Sequence, residues 1–128
     1  MQRPARLPAV LLVCLWGTQA AFGGGQTEPS SARDAYARAL ELESRGNPSA
    51  ALALFWYAAG VTPRDADVQN HLGEALERIG ALDAAIDAFR RALAERPAFR
   101  TAANNLILTL VKAGKGPEAL ERAHALVA

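Results

Sequence analysis

A chain of 128 residues, 51% of them hydrophobic and 21% charged, has room for one small domain and none for a large enzyme core. Its 14 Lys and Arg stand against 13 Asp and Glu, and loss of a leader carrying Arg3 and Arg6 leaves 12 against 13, a mature charge near −1. Such a balance steers the chain neither to nucleic acid nor to anionic lipid. The only cysteine, Cys14, falls in that leader, so the mature chain has no thiol, disulfide or thiolate metal site.

The first predicted element is the leader itself. Residues 1–23 follow the order of a secretory signal peptide: Arg3 and Arg6, the apolar run Leu7 to Trp16, then small residues through Ala20, Ala21 and Gly23. An apolar run of ten residues is short for a permanent membrane helix, which needs about 20. Cleavage after Ala20 is expected, with an uncleaved anchor as the alternative. A lipobox at Leu11-Leu12-Val13-Cys14 is disfavoured, because Val13 stands where a small residue is needed. Residues 24–31 are Gly, Ser, Gln, Thr, Glu and Pro, a flexible tether. Export to a periplasmic or secreted location follows from this order.

Beyond the tether the chain repeats itself. Gly46, Gly80 and Gly114 recur every 34 residues, each preceded by a leucine four positions earlier (Leu42, Leu76, Leu110) and followed by an alanine five later (Ala51, Ala85, Ala119). Phe55 and Phe89, Ala58 and Ala92, and Pro63 and Pro97 hold the same register. A glycine in the left-handed region ends each first helix at little steric cost, and proline closes each unit because it lacks the donor a helix needs. The composition, rich in Ala, Leu, Arg and Glu, favours helix throughout. The spacing predicts helices over 32–45, 49–61, 66–79, 83–95, 100–113 and 117–127. Ser31, Asn47, Asp83 and Gly116 are the expected start signals.

The stretch Leu72-Gly73, Leu76, Ala85, Phe89, Ala92, Pro97 resembles the tetratricopeptide signature, with Gln69 in place of its leading tryptophan and Leu76 in place of its tyrosine. The resemblance implies an all-α, right-handed solenoid of about three helix-turn-helix units: 32–65, 66–99 and an incomplete 100–128. In the columns, Gly73 and Ala39 allow close helix approach while Phe55 and Phe89 fill the groove. The third unit reverses this with Ile107 and Ala123, a volume-conserving exchange.

No catalytic site is predicted. His71 and His124 lie on different units with no cysteine beside them, so neither a metal triad nor a nucleophile pair assembles. Gly114-Lys115-Gly116 lacks the remainder of a phosphate-binding loop and is read as a turn; Glu74 and Glu77 are read as a solvated helix face. No metal and no cofactor are expected.

The resemblance further implies a concave groove lined by the first helix of each unit, holding an extended peptide or a partner helix. Mapped there are Arg33, Tyr36, Leu40 and Glu43, then Asp67, Asn70, His71, Glu74 and Arg78, then Thr101, Asn104, Asn105 and Leu108. The family's carboxylate clamp is not reproduced, since Tyr36 and Leu40 occupy its columns. Its backbone-binding asparagine column is filled by Asn105, substituted by His71 and broken by Ala37. A second surface is expected at Trp56 and Tyr57, where the next unit carries Arg90 and Arg91; the tether, a partner or the array's own packing could cover it.

The chain is therefore expected to be an exported, non-enzymatic interaction module with a protein or peptide partner, and with no nucleic acid and no small-molecule substrate. Two alternatives stay open: the N-terminal part of a longer protein whose chemistry lies beyond Ala128, or a structural subunit that self-associates through a final helix carrying Leu120, Ala123, Leu126 and Val127.

Overall fold

The computed structural model describes residues 31–128; the leader 1–23 and all of the tether but Ser31 lie outside the described residues. Six α-helices follow in order: α1 (Ala32–Ser44), α2 (Pro48–Val61), α3 (Ala66–Arg78), α4 (Leu82–Glu95), α5 (Arg100–Lys112) and α6 (Gly116–Val127). Every expected boundary is met within one residue. Each helix packs chiefly on its neighbours in sequence, α1 on α2, α2 on α3 and so to α6, which is the one-dimensional packing of a solenoid.

The turn inside each unit has a common geometry. Gly46, Gly80 and Gly114 take φ of 77°, 81° and 75°, where an L side chain would meet the following carbonyl. The residue after each glycine donates its N–H to the leucine carbonyl five back, Asn47 to Leu42, Ala81 to Leu76 and Lys115 to Leu110, at 2.8–3.0 Å. Each glycine itself donates three back, so two carbonyls left without partners by the helix end are satisfied.

The start signals divide. Ser31 accepts from the Asp34 N–H at 3.1 Å and Asn47 from the Ala50 N–H at 3.4 Å, as expected. Asp83 does not cap α4: the helix begins at Leu82, with Ala81 at the cap and no side-chain bond, so Asp83 falls inside the first turn. There its charge favours the positive end of the helix without filling a donor. Gly116 is likewise inside α6, whose cap position is Lys115. Asp65, not anticipated, caps α3 by accepting from the Asp67 and Val68 N–H groups.

The core runs through all three units. Phe55, Phe89, Leu72, Ile86, Leu106 and Leu110 are almost wholly buried. At Gly73 the close approach is required: a Cβ would stand 2.5 Å from Phe89 Cε1. The exchange in the third unit packs less completely than its volumes suggest. Ala123 is only half-buried, and a cleft of about 260 Å³ opens beside Ile107, lined by Leu93, Pro97, Leu106, Arg122 and Leu126. Helix α6 buries Ala119 alone. Among the described residues no helix is long and apolar enough to cross a membrane.

Candidate peptide-binding face

The first helices α1, α3 and α5 reach one another through long side chains, and the pairing has a fixed step. Tyr36 meets His71, Glu43 meets Arg78, Asn70 meets Asn105 and Glu77 meets Lys112, each a partner 35 residues on. The sequence repeat is 34, so each first helix contacts the next one residue beyond the equivalent column. The second and fourth pairs are one acid–base contact used twice, and the first and third are one polar contact used twice.

On the α1 side, the Tyr36 hydroxyl lies 2.9 Å from His71 Nδ1, which also lies 2.9 Å from the Asp67 carbonyl. Nδ1 has one hydrogen or one lone pair according to tautomer, so it donates to the carbonyl or accepts from the hydroxyl. The Tyr36 ring stands edge-on to His71 at 5.4 Å, and His71 stacks on Phe55 at 6.0 Å. Burial, and then the carboxylates of Asp67, Asp65, Glu74 and Glu43, push the Tyr36 hydroxyl above its ordinary pKa.

Between α3 and α5, Asn70 is buried and donates to Glu74 Oε1 at 3.1 Å. Asn105 Nδ2 donates to Asn70 Oδ1 at 3.1 Å and to Glu74 Oε1 at 2.9 Å. Both hydrogens of the Asn105 amide are thus engaged inside the protein, and only its Oδ1 remains to meet a ligand N–H.

Several of the contacts on these helices escaped the sequence reading. Arg96 forks onto both oxygens of Asp67 at 3.0 and 2.8 Å, and this hydrogen bonding holds the Asp67 carboxyl below its usual pKa against the opposing effect of burial. Arg78 binds Glu43 Oε1 at 2.6 Å, so its predicted groove guanidinium is already paired. Burial alone would raise the Glu77 carboxyl, but hydrogen bonds from Lys112 and Thr109 bring it below its usual value. Gln69, in the tryptophan column, is buried with Nε2 donating to the Pro63 carbonyl at 3.2 Å and Oε1 without a partner. The repeat register held a signal for the acid–base contacts: an acid at 43 and 77, a base at 78 and 112.

Asn104 lies exposed on α5 and takes part in none of these contacts. Trp56 and Tyr57, on α2, are 48% and 46% exposed, so packing within the described residues leaves about half of each residue open. No group of three or more His, Cys, Asp or Glu able to hold a metal ion occurs among the described residues.

Paired helices closed by left-handed glycines, with one polar and aromatic strip shared by their first helices, define a helical-repeat protein-interaction module. The chain belongs to the tetratricopeptide repeat family, whose sequence model matches residues 36–100, about half its length. No curated protein sequence matches it. Among solved structures, a crystal structure of MamA superposes with a TM-score of 0.73 at 22% identity, over 78% of this chain and 58% of that one. A second MamA structure, of the MSR-1 protein, gives 0.68 at 28% identity over 77% and 58%. YrrB, described as a TPR protein with an unusual peptide-binding site, gives 0.72 at 20% identity, over 93% of this chain and 62% of that one. The chain thus spans about three fifths of the length of these proteins, and at 20–22% identity the likeness to YrrB and the first MamA structure is one of fold.

Proposed function

We propose that the chain is an exported binding protein that holds an extended peptide or a partner helix along α1, α3 and α5. The observation that carries this reading is a pair of side-chain clusters, Tyr36 with His71 between α1 and α3 and Asn70 with Glu74 and Asn105 between α3 and α5, which hold their members in place before any ligand arrives. Preorganisation of this kind lowers the ordering cost of binding. Asn105 Oδ1 and His71 Nε2 make no hydrogen bond within the described residues and are the groups offered to peptide backbone. Selection of random dodecapeptides against the immobilised full chain tests this. Asn105→Ala and His71→Ala should each weaken the selected peptide by about 0.5–1.5 kcal/mol, one neutral hydrogen bond, with the helical circular dichroism unchanged. Unaltered affinity in both variants would move the site elsewhere, with Trp56 and Tyr57 next to be tested.

Export is supported by Arg3, Arg6 and the short apolar run. N-terminal sequencing of the protein from its own host should find a start near Ala21. An intact terminus in the cytoplasm would defeat the reading, and one in the membrane fraction would support an anchor.

A second reading, self-association, is favoured by the face at the α5–α6 end. Val111, Leu120 and Val127 are 59%, 59% and 83% exposed there, while Ile86 and Leu93, in the columns of Leu120 and Val127, are buried and half-buried. Sedimentation equilibrium of the full chain decides it: a monomer up to high micromolar concentration would rule it out.

A further inference from the structure

The carboxylates of α3 are not treated alike. Asp67 holds Arg96 and Glu77 holds Lys112. Glu74, between them on the same helix, forms no ion pair among the described residues. Its Oε1 instead accepts from two neutral amides, Asn70 at 3.1 Å and Asn105 at 2.9 Å, while Oε2 makes no hydrogen bond. Side-chain amides from two helices therefore fix the carboxylate and leave its charge uncompensated, half-buried in the middle of the strip. A partly desolvated charge is costly until an opposite charge meets it. Arg78, one turn further along α3, is already bound to Glu43, and Arg96 is bound to Asp67.

The repeat column of Glu74 is otherwise apolar. Leu40 on α1 and Leu108 on α5 occupy its repeat column, 34 residues before and after it; Leu40 is half-buried against the core and Leu108 is 58% exposed. Across the three first helices this column reads leucine, glutamate, leucine. Helix spacings of roughly 8–10 Å correspond to about three residues of extended chain.

We propose that the groove takes an extended peptide presenting a lysine or arginine side chain to Glu74, with apolar residues about three positions away on each side meeting Leu40 and Leu108. This rests on the groove reading above and adds the chemistry of the ligand. Glu74 is also among the carboxylates that, after burial, push the Tyr36 hydroxyl up, and its field favours the same charge.

The test begins from dodecapeptides selected on the immobilised full chain. The best binder and its analogue with the basic residue replaced by norleucine are titrated by fluorescence polarisation into the parent and into Glu74→Gln. Gln keeps one oxygen to accept from both amides and puts an uncharged NH2 in place of the unbonded Oε2, and circular dichroism checks its fold. The parent should prefer the basic peptide by roughly three- to tenfold, as for a partly screened ion pair. The preference should fall within about twofold in Glu74→Gln and shrink in the parent as salt rises. Selected peptides without a basic residue, or equal affinity of the parent for the norleucine analogue, would overturn the inference while leaving the groove reading intact; the analogue needs no protein variant, so misfolding cannot obscure it. Equal preference in Glu74→Gln would overturn it too. Selection of no peptide at all would overturn both.

Discussion

Gly73 and Phe89 offer the sharpest test of how the helices are spaced. A methyl added at Gly73 would lie 2.5, 2.7 and 2.8 Å from three carbons of the Phe89 ring, where ordinary carbon contacts are about 3.5–4.0 Å. The ring is wholly buried, so roughly 1 Å of relief is expected to come from α3 and α4 moving apart. Overpacking of this kind costs about 1–3 kcal/mol, and the better helix propensity of alanine returns about 1 kcal/mol. Gly73→Ala should therefore lose on the order of 1 kcal/mol net. A double-mutant cycle removes the propensity term: in a Phe89→Leu background the clash is gone, so Gly73→Ala should be neutral or stabilising, with a coupling of about 1–2 kcal/mol. Urea unfolding followed by circular dichroism gives all four stabilities. Additivity within about 0.5 kcal/mol would refute the close approach. The matching change in unit 1, Ala39→Gly, should cost about 1 kcal/mol, since Ala39 and Phe55 already pack together with a Cβ present.

Leu72, 1% exposed, should cost about 2–5 kcal/mol when truncated to alanine, and parental stability of that variant would mean the α3 phase is wrong. Gly80 has φ +81° and no atom within 4 Å of an added Cβ, so Gly80→Ala should cost about 1 kcal/mol from backbone strain alone, with Gly80→Asn milder; equal stability of all three would refute the left-handed turn. Because Arg96 depresses the Asp67 pKa, the pair stabilises above the unfolded value of about 3.9, and that stability is lost as pH falls through the lower folded value. The melting temperature of Asp67→Asn should consequently depend less on pH below about 4, and superimposable acid profiles would show that the fork does not form in solution.

The helices were legible because their punctuation is local. A glycine at 46, 80 or 114 acts on its own φ, and Pro63 or Pro97 on its own missing donor, so the chain declares those boundaries without tertiary information. Caps are nearly as local, yet Asp83 and Gly116 were misplaced by one or two residues, and such a shift turns a capping group into a first-turn residue. The interaction face was legible only as a set of columns. That Asn70, His71, Glu74 and Asn105 share a face follows from helical spacing, but Asn105 spending both amide hydrogens on Asn70 and Glu74 depends on the one-residue offset between successive first helices. The cleft beside Ile107 was hidden for a similar reason: summed volumes matched, and only packing reveals that α6 does not close over it.

The 35-residue step has a bearing on how the array could grow. Copying a unit in tandem preserves a junction only where the acid of one copy meets a base in the next. Residues 66–99 satisfy this, because Glu77 of a first copy would face Arg78 of a second, and Asn70 would face His71. Residues 32–65 would instead set Glu43 against Ser44. The middle unit thus carries its own matching joint on in-frame duplication and the first does not, so lengthening by gene duplication would be tolerated at residues 66–99 and resisted at residues 32–65.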